Sequence, residues 1–550
     1  MNFDKINKQS EYEDLVNKGI EFAKKTNFSK AETLFLKAIT IKNKDDSAYI
    51  NLANTYLLSN NLKQAKELLF DYIENYKFQR KIANYLGKIC FKYNLDKDLK
   101  KLFNNINLDA SKNTNEKYYL FFLQGCLYQK NNKFEKSISS FEKSILANSK
   151  FFDSYPKILN LFEQTNKINE FSKYINKSLK IFNNIKELKI LFFYKSLLLY
   201  RHKQYSDSNN LILSEKLNQY FSSSEYYLTK LYDLLSKNYE KLFEYEKAYV
   251  FIGKRNLVLK NSKKNKEFNK NIINETILKY KKFYTKENFR KIQSKLNSEE
   301  DSKLVFLVGF PRSGTTLLDT ILRSHKNITV LEEKPYLLNL RHNFFKNKEN
   351  KLDSLIDITQ NEKNNIRERY LSNIKNYYTN NSDIIIDKLP LSIVEIGFIK
   401  TIFPTSKIIL ALRHPCDVVL SCYFTFFKTN DAMANFLEID DTINLYNNVF
   451  NLFENYEHHL EIKYHQIKYE NVVTDFKKEI SQLLGFLNLK YEKSLEKFYK
   501  TGISRTKINT PSYNQVVNPL YSSSIGRWKK YKKIINTEKK LKKWIEKFNY

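Results

Sequence analysis

The sequence predicts an α-helical repeat region followed by an α/β domain with a parallel sheet, and three observations support this fold class. A pattern of small and apolar residues recurs every 34 residues in the first half of the chain. Only 10 glycines and 8 prolines occur in 550 residues, which favours long helices over a turn-rich all-β protein. Residues 304–323 combine a buried strand, a glycine-containing loop and a helix. A chain of this length should contain at least two domains.

The repeat is clearest at its start, where four small or apolar positions return after 34 residues. They are Gly19, Ala31, Phe35 and Ala38, followed by Ala53, Ala65, Leu69 and Tyr72. Small residues at such places let the two helices of a pair approach closely. We expect about six or seven repeats in residues 10–258, the later ones degenerate.

This period resembles the tetratricopeptide repeat, which implies a solenoid of helix pairs that binds a peptide or a partner protein. Unrelated amphipathic helices are the alternative, and they would leave the fixed period unexplained. Residues 259–300 are charged and contain one helix-like patch, so we expect a connector there. The second domain should then cover residues 301–550.

The strand, loop and helix at residues 304–323 predict an anion site. Leu304 to Val308 is wholly apolar, as in a strand covered on both faces. The loop that follows ends on a helix N-terminus, where backbone N–H groups and the helix dipole attract anions. Gly309 and Gly314 keep the spacing of a nucleotide triphosphatase loop, but Thr315 replaces its lysine. Arg312 instead supplies a cation suited to one tetrahedral anion. A plain strand–turn–helix is the alternative.

The segment PRSGTT after a strand resembles the 5′-phosphosulfate loop of sulfotransferases that use 3′-phosphoadenylyl sulfate (PAPS). This resemblance implies a P-loop-like α/β sulfotransferase domain with a parallel sheet. It also implies that the loop binds the donor. The loop residues concerned are Arg312, Ser313, Gly314, Thr315 and Thr316.

The pair Glu332-Glu333 sharpens the resemblance, because tyrosylprotein sulfotransferases place a Glu-Glu pair at this distance from the loop arginine. The resemblance implies that Glu333 is the general base, and a carboxylate that accepts the acceptor's proton would accelerate attack on sulfur. Solvated loop acids are the alternative. The chain departs from that family at Pro335, where the family has an arginine that grips the peptide. A peptide acceptor is therefore not implied.

Lys388 follows the short predicted strand 383–387, and strand ends carry the chemistry of α/β folds. In the resembling enzymes a lysine at this position stabilises charge on the leaving oxygen of the donor. An ordinary surface lysine is the alternative in so basic a chain.

A second anion site is predicted after the strand that ends at Leu412. The spacing R-x-P-x-D-x-x-x-S, from Arg413 to Ser421, resembles the 3′-phosphate site of sulfotransferases. Both side chains can bond one phosphate. Two separate anion sites distinguish PAPS from ATP.

Three further positions are assigned by resemblance alone. Tyr469 matches a family position near the nucleotide, although it can also be an ordinary packing tyrosine. Arg527, in the segment Gly-Arg-Trp-Lys, matches the C-terminal PAPS loop, where the arginine or its backbone meets the 3′-phosphate. Ser512 falls where the tyrosylprotein enzymes place a serine that stabilises the transition state.

Composition limits the partners and the compartment. The net charge is +33, yet lysine is spread along the whole chain without an arginine-rich arm, so we expect no nucleic-acid partner. The four cysteines show no metal-ligand spacing, and no signal peptide or membrane span is evident. We expect a cytoplasmic protein that requires no metal.

Together these features predict a PAPS-dependent sulfotransferase that acts on an acceptor hydroxyl, with catalytic residues Glu333, Lys388 and Ser512. The acceptor can be protein tyrosine, a saccharide or a small molecule, and the repeats would recruit it or a partner protein. The oligomeric state stays open. A P-loop kinase or triphosphatase, and a repeat scaffold with an inactive catalytic domain, are the alternatives.

Overall fold

Paired helices fill the first part of the chain, as the 34-residue period predicts. The computed structural model describes residues 3–76, 80–106, 117–263, 265–296, 303–346, 348, 351–377, 384–504, 520 and 522–550. The helices up to residue 261 are α1 (Phe3–Lys24), α2 (Phe28–Ile41), α3 (Asp46–Leu58), α4 (Leu62–Tyr76), α5 (Arg80–Lys92), α6 (Asp96–Asn105), α7 (Tyr118–Lys130), α8 (Phe134–Ala147), α9 (Ser154–Gln164), α10 (Ile168–Ile181), α11 (Ile185–Arg201), α12 (Tyr205–Ser214), α13 (Leu217–Tyr220), α14 (Glu225–Lys241) and α15 (Tyr245–Asn261).

The turn inside each helix pair carries the period. Thr26, Asn60 and Asn94 lie 34 residues apart, as do Asn132 and Asn166, and all five have a left-handed backbone with φ between 55° and 60°. Asparagine tolerates this conformation better than most residues because its short polar side chain bonds locally. The regular turn therefore accounts for the asparagines that recur between the apolar positions.

Close helix contact explains the small residues of the repeat. A Cβ atom on Gly19 would lie 2.7 Å from the ring of Phe35, and one on Gly125 would lie 2.7 Å from the ring of Phe141. The Ser137 hydroxyl donates to the Gly125 carbonyl at 2.7 Å, which joins the two helices of that pair. The predicted helical repeat is confirmed.

The rest of the chain is an α/β structure. Its strands are β1 (Leu304–Gly309), β2 (Ile328–Glu332), β3 (Ile384–Lys388), β4 (Lys407–Leu412) and β5 (Tyr464–Lys468). Its α-helices are α16 (Asn271–Phe283), α17 (Lys286–Ser294), α18 (Thr315–Leu322), α19 (Tyr336–Phe345), α20 (Gln360–Ile374), α21 (Ile396–Ile402), α22 (Pro415–Phe424), α23 (Ile439–Leu460), α24 (Tyr469–Thr474), α25 (Phe476–Phe486), α26 (Phe498–Ser504) and α27 (Thr537–Lys547).

The sheet has the order β2-β3-β1-β4-β5, and the paired strands are all parallel. From β1 the chain crosses to β2 on one side, whereas from β4 it continues to β5 on the other. The carboxyl ends of β1 and β4 therefore flank the point where the topology reverses, which is where open α/β sheets bind ligands. The predicted parallel α/β fold is confirmed.

The segment expected to be a connector contributes two helices, α16 and α17. Tyr280, Tyr284 and Phe289 are buried in the same apolar core as strand residues of the sheet. Gly397 makes room for this packing, because a Cβ atom there would lie 2.4 Å from the ring of Tyr284. Although these helices carry many lysines, their apolar faces belong to the sheet's core.

By its internal contacts the chain divides into two units, Met1–Tyr220 and Phe221–Tyr550. The second unit thus includes α14 and α15 as well as the α/β structure. The division into residues 10–258, 259–300 and 301–550 stays a prediction. No helix in the described ranges has the length and apolarity that a membrane crossing requires.

Candidate active site

The loop after β1 is shaped by its two glycines. A Cβ atom on Gly309 would lie 2.6 Å from the Ala411 carbonyl oxygen of the neighbouring strand and 2.8 Å from the Ser313 hydroxyl. Gly314 has φ 95° immediately before α18, and a Cβ atom there would approach the Tyr469 ring to 3.0 Å. Only glycine fits both positions without rearrangement. The backbone N–H groups of Thr315 and Thr316 are then at the N-terminus of α18.

Three predicted anion-binding residues lie next to one another. The Nε of Arg312 donates to the Ser421 hydroxyl of α22 at 3.1 Å. Arg413, at the end of β4, approaches the carbonyl oxygen of Arg312 at 3.5 Å and donates to the carbonyl of Ser524. Its guanidinium also lies 4.9 Å from the centre of the Tyr469 ring. Arg312, Arg413 and Ser421 therefore form one basic cluster at the carboxyl ends of β1 and β4.

Lys388 ends β3 and is fully buried among carboxylates. Its ammonium lies 2.7 Å from Glu333, 3.9 Å from Glu332 and 3.9 Å from Asp319. The backbone of Glu333 also donates to the Lys388 carbonyl at 2.8 Å. The predicted base and the predicted leaving-group cation thus form one ion pair.

Two of these residues have an unusual backbone. Arg312 has φ 72° and Glu333 has φ 48°, the left-handed region that residues other than glycine seldom adopt. Such conformations cluster at functional sites, where the surrounding structure holds them. The two residues lie in the turns that follow β1 and β2, at the carboxyl end of the sheet.

The segment of residues 524–528, here called the C-terminal loop, is bound to the start of α22 by a buried carboxylate. Asp417 accepts hydrogen bonds from the backbone N–H groups of Gly526 at 2.7 Å and Trp528 at 2.8 Å. The Trp528 ring stacks on His414, with the ring centres 5.0 Å apart. The Arg527 guanidinium turns to Glu240 of α14, to which it donates at 2.6 and 2.7 Å.

Burial sets the protonation of several groups near the strand ends. It lowers the pKa of the His414 imidazole and raises the pKa of the Asp387 carboxyl to about 6, against the opposing effects of Tyr370 and Lys388. It also raises the pKa of Glu395, although Arg341 and Tyr280 oppose this shift. His414 is therefore neutral at pH 7 and serves as a stacking partner for Trp528.

A cleft of about 750 Å³ opens beside Arg312, Thr316 and Glu333. Much of its wall is apolar, and a polar network lies at one side. That network joins Arg341 to Tyr280 at 2.6 Å and to Glu395 at 3.2 Å. The apolar lining residues include Ile272, Ile273, Leu338, Leu391, Val394, Phe426, Phe427 and Met433. The cleft can hold an organic molecule or a short peptide segment next to the Glu333 carboxylate.

The structure brings most of the predicted residues together at one end of the sheet. These are Arg312, Ser313, Gly314, Thr315, Thr316, Glu333, Lys388, Arg413, Ser421 and Tyr469. Arg527 lies on a loop bound to α22, but its guanidinium is held by Glu240. Ser512 lies outside the described residues.

Sequence reasoning missed Asp417 and Asp319. Asp417 was noted as part of the R-x-P-x-D spacing but was given no role. Its position in the first turn of a helix, where a carboxylate is stabilised by the helix dipole, could have marked it as structurally important. Asp319 gave no signal, because its neighbour Lys388 is 69 residues away in the sequence. In the described ranges, no group of three or more histidine, cysteine or acidic side chains is arranged to hold a metal ion.

Comparisons with known proteins find a match in each part of the chain. The sulfotransferase family model matches residues 305–493, and the tetratricopeptide repeat model matches residues 118–151. An uncharacterized protein of Aquifex aeolicus (strain VF5) is 25% identical over 312 residues, which cover 55% of this chain and 40% of that protein. Protein-tyrosine sulfotransferase A of Caenorhabditis elegans is 24% identical over 240 residues, which cover 41% of this chain and 61% of that protein.

Among solved structures, the sulfotransferase domain from the Synechococcus PCC 7002 olefin synthase is 18% identical. The match covers 46% of this chain and 98% of that chain, with a TM-score of 0.34. The chain spans less than two thirds of the length of the curated relatives it matches. Residues 305–493 form a sulfotransferase-family domain, and a tetratricopeptide repeat precedes it in the same chain.

Proposed function

We propose that this protein transfers a sulfuryl group from PAPS to an acceptor hydroxyl and releases adenosine 3′,5′-bisphosphate. One observation carries the proposal. Arg312, Ser421 and Arg413 form a basic cluster at the carboxyl ends of β1 and β4, and the Glu333–Lys388 ion pair lies at the ends of the adjoining strands. The family match at residues 305–493 supports the same reaction.

The residues present fit the donor. Gly309 and Gly314 leave no room for a Cβ atom and so allow the tight loop, and the Ser313 hydroxyl is buried without a hydrogen-bond partner among the described residues. The Nε of Arg413 is likewise buried and unbonded there. A donor with phosphate groups at both its 5′ and 3′ positions would supply acceptors to such groups.

Each part of the site then has a role in binding. The loop from Arg312 to Thr316 would bind the 5′-phosphosulfate through backbone N–H groups and one guanidinium. Arg413 and Ser421 would bind the 3′-phosphate, and the Tyr469 ring beside Gly314 and Arg413 would border the nucleotide. The C-terminal loop with Arg527 would close this end.

The Glu333–Lys388 pair would perform the proton and charge chemistry. Bound PAPS supplies the activated sulfuryl group. Glu333 would accept the proton of the acceptor hydroxyl as that oxygen bonds to sulfur. Lys388 would stabilise charge on the phosphate oxygen that leaves sulfur, which a fixed buried cation does well. Because the two groups form an ion pair, a change of charge on the Glu333 carboxylate alters the electrostatic field at Lys388, and the reverse also holds. Ser512 is included in the proposal as a further stabilising residue.

The acceptor would enter the cleft beside Glu333. Its apolar wall is suited to the body of a phenol or another organic alcohol, and protein tyrosine, saccharide and small-molecule acceptors all remain open. The helical repeats would recruit the acceptor or a partner protein.

The proposed reaction requires no metal. The four buried free thiols support a reducing compartment, the cytoplasm.

A kinase or triphosphatase is disfavoured, since Thr315 stands in place of the phosphate-binding lysine. An inactive scaffold is disfavoured by the convergence of Glu333, Lys388 and Arg413 at one end of the sheet.

The test is to incubate the purified protein with PAPS labelled with radioactive sulfur and a lysate of the source cells, and then to identify the labelled species. Transfer that the Lys388→Ala variant lacks would support the proposal. Binding of ATP in preference to PAPS in a titration, with no labelled acceptor, would contradict it.

A further inference from the structure

The helix pair α14 and α15, here called the terminal hairpin, is built like a repeat but belongs to the unit that contains the sheet. The Ser236 hydroxyl donates to the Ala248 carbonyl at 2.8 Å, a bond across 12 residues like that between Ser137 and Gly125. Nevertheless, the chain divides at residue 220, ahead of this hairpin. Its polar residues explain why.

Arg255 of α15 is the centre of these contacts and is only 1% exposed. It donates to the Tyr423 carbonyl at 3.1 Å and to the Phe424 carbonyl at 3.0 Å, and Asn256 donates to Tyr423 at 3.2 Å. Asp233 of α14 accepts from the same guanidinium at 2.7 Å. Burial opposes the charge of Asp233, but Lys237 and Arg255 outweigh it and lower the Asp233 pKa to about 2.

These carbonyls are the last two of α22, and helix ends need outside donors for their carbonyl groups. A buried cation there also complements the helix dipole. The same helix follows Arg413 and carries Ser421, so the terminal hairpin fixes one end of the helix that bears one predicted 3′-phosphate residue and follows the other.

The terminal hairpin also holds the C-terminal loop. Glu240 of α14 accepts two bonds from Arg527, whose guanidinium lies 4.7 Å from the ring centre of Phe424. The neighbouring residues of Arg527 are bound through their backbone to Asp417 of α22. The loop is therefore attached to α22 on one side and to α14 on the other.

We propose that Glu240 and Arg255 of the terminal hairpin are positioning residues of the donor site, which hold α22 and the C-terminal loop in the arrangement that binds the donor's 3′ end. This inference rests on the proposed function. It means that residues 305–493, the part that the family model matches, are not sufficient for donor binding. Neither residue needs to touch the donor.

The test compares two glutamates of the same hairpin in the full chain. Glu240→Gln removes the charge that holds Arg527, whereas Glu244→Gln removes only the exposed pair with Lys247. Calorimetric titration gives the affinities for adenosine 3′,5′-bisphosphate, which carries the 3′-phosphate, and for adenosine 5′-phosphosulfate, which lacks it. Thermal unfolding of each variant checks the fold, and Arg255→Lys, which keeps the buried charge, is the second variant.

For Glu240→Gln and Arg255→Lys we expect bisphosphate affinity to fall roughly 10- to 100-fold. Losses of this size are found when a residue that holds a metal ligand in place, without contacting the metal, is replaced. Affinity for the 5′-phosphosulfate should fall much less, and KM for the donor should rise more than kcat falls. Glu244→Gln should bind both ligands like the wild type.

Bisphosphate affinity within about twofold of the wild type in both variants would overturn the inference, as would equal losses for both ligands together with a lowered melting temperature. If the wild-type protein binds neither ligand, the proposed function fails first, and that outcome is distinct from a wild type that binds while the variants match it.

Discussion

Two strand–turn–helix junctions, one after β1 and one after β4, lie side by side at the same end of the sheet, yet they are built differently. The first uses its own backbone, because Gly309 and Gly314 allow a tight loop whose N–H groups precede α18. The second uses side chains, since Arg413 and Ser421 supply its polar groups while Asp417 binds the C-terminal loop.

This difference decides how much of each junction depends on distant residues. The first is formed within residues 309–316, and its contacts outside that segment are to the ring of Tyr469 and to the neighbouring β4 and α22. The second takes its contacts from Ser524, Gly526 and Trp528, more than a hundred residues later, and from Arg255. Damage to the first junction should therefore act locally, whereas the second should respond to changes far away in the sequence.

The largest effect is expected at the Glu333–Lys388 pair, which belongs to neither junction. Glu333→Gln and Lys388→Ala should each lower kcat by roughly 10²- to 10⁴-fold, as general-base and electrostatic contributions typically do. Binding of adenosine 3′,5′-bisphosphate should change little, because both junctions stay intact. Steady-state kinetics and calorimetry on the same preparations check this.

The two variants should also differ from each other in pH dependence. A more acidic phenol or a higher pH should recover part of the rate of Glu333→Gln, since an ionised acceptor needs no base, while Lys388→Ala should show no recovery. Near-normal kcat for Glu333→Gln on the true acceptor would mean that another residue is the general base, with Glu332 the first candidate and His325 the second.

A smaller effect is expected from Gly309→Ala in the first junction. The added Cβ atom would lie 2.6 Å from the Ala411 carbonyl, so β1 and β4 must shift, at a cost of about 1–3 kcal/mol in unfolding free energy. Gly485→Ala in α25 is the matched control. Its Cβ atom meets nothing within 4 Å, and alanine should stabilise that helix by about 0.5–1 kcal/mol.

Denaturant unfolding separates the two glycine variants. If Gly309→Ala were as stable as the wild type, the tight fit between the loop and β4 would not be required, and the first junction would not be a backbone cradle of the kind described.

The smallest effect is expected from metal removal. Neither junction contains the lysine and acidic residue that hold a magnesium–triphosphate complex, so turnover in excess chelator should match turnover with Mg²⁺ within a small factor. Loss of activity on chelation, restored by Mg²⁺, would favour a kinase instead.

The sequence allowed the fold and the first junction to be predicted because their signals are local. Short apolar runs mark the buried strands, and the loop from Arg312 to Thr316 is one contiguous motif. The 34-residue period likewise follows from contacts inside each helix pair, such as Gly19 with Phe35.

Contacts between distant segments could not be predicted in this way. The lysines of α16 and α17 suggested a connector, but burial of residues such as Tyr284 depends on the rest of the core. The ion pair of Glu240 with Arg527 joins residues 287 positions apart, and nothing in either local sequence selects the other. The direct contact of Glu333 with Lys388 depends on the pairing of β2 with β3.

The most direct test of the account is a crossed calorimetric titration of Arg312→Ala and Arg413→Ala with adenosine 3′,5′-bisphosphate and adenosine 5′-phosphosulfate. Arg290→Ala, an exposed arginine of α17, is the control and should bind both ligands normally. We predict that Arg312→Ala weakens both ligands, because both carry a 5′ group. Arg413→Ala should weaken the bisphosphate by about 1.5–3 kcal/mol, the usual value of a hydrogen bond to a charged group, and the phosphosulfate much less. Equal losses for both ligands in Arg413→Ala would contradict two separate anion sites.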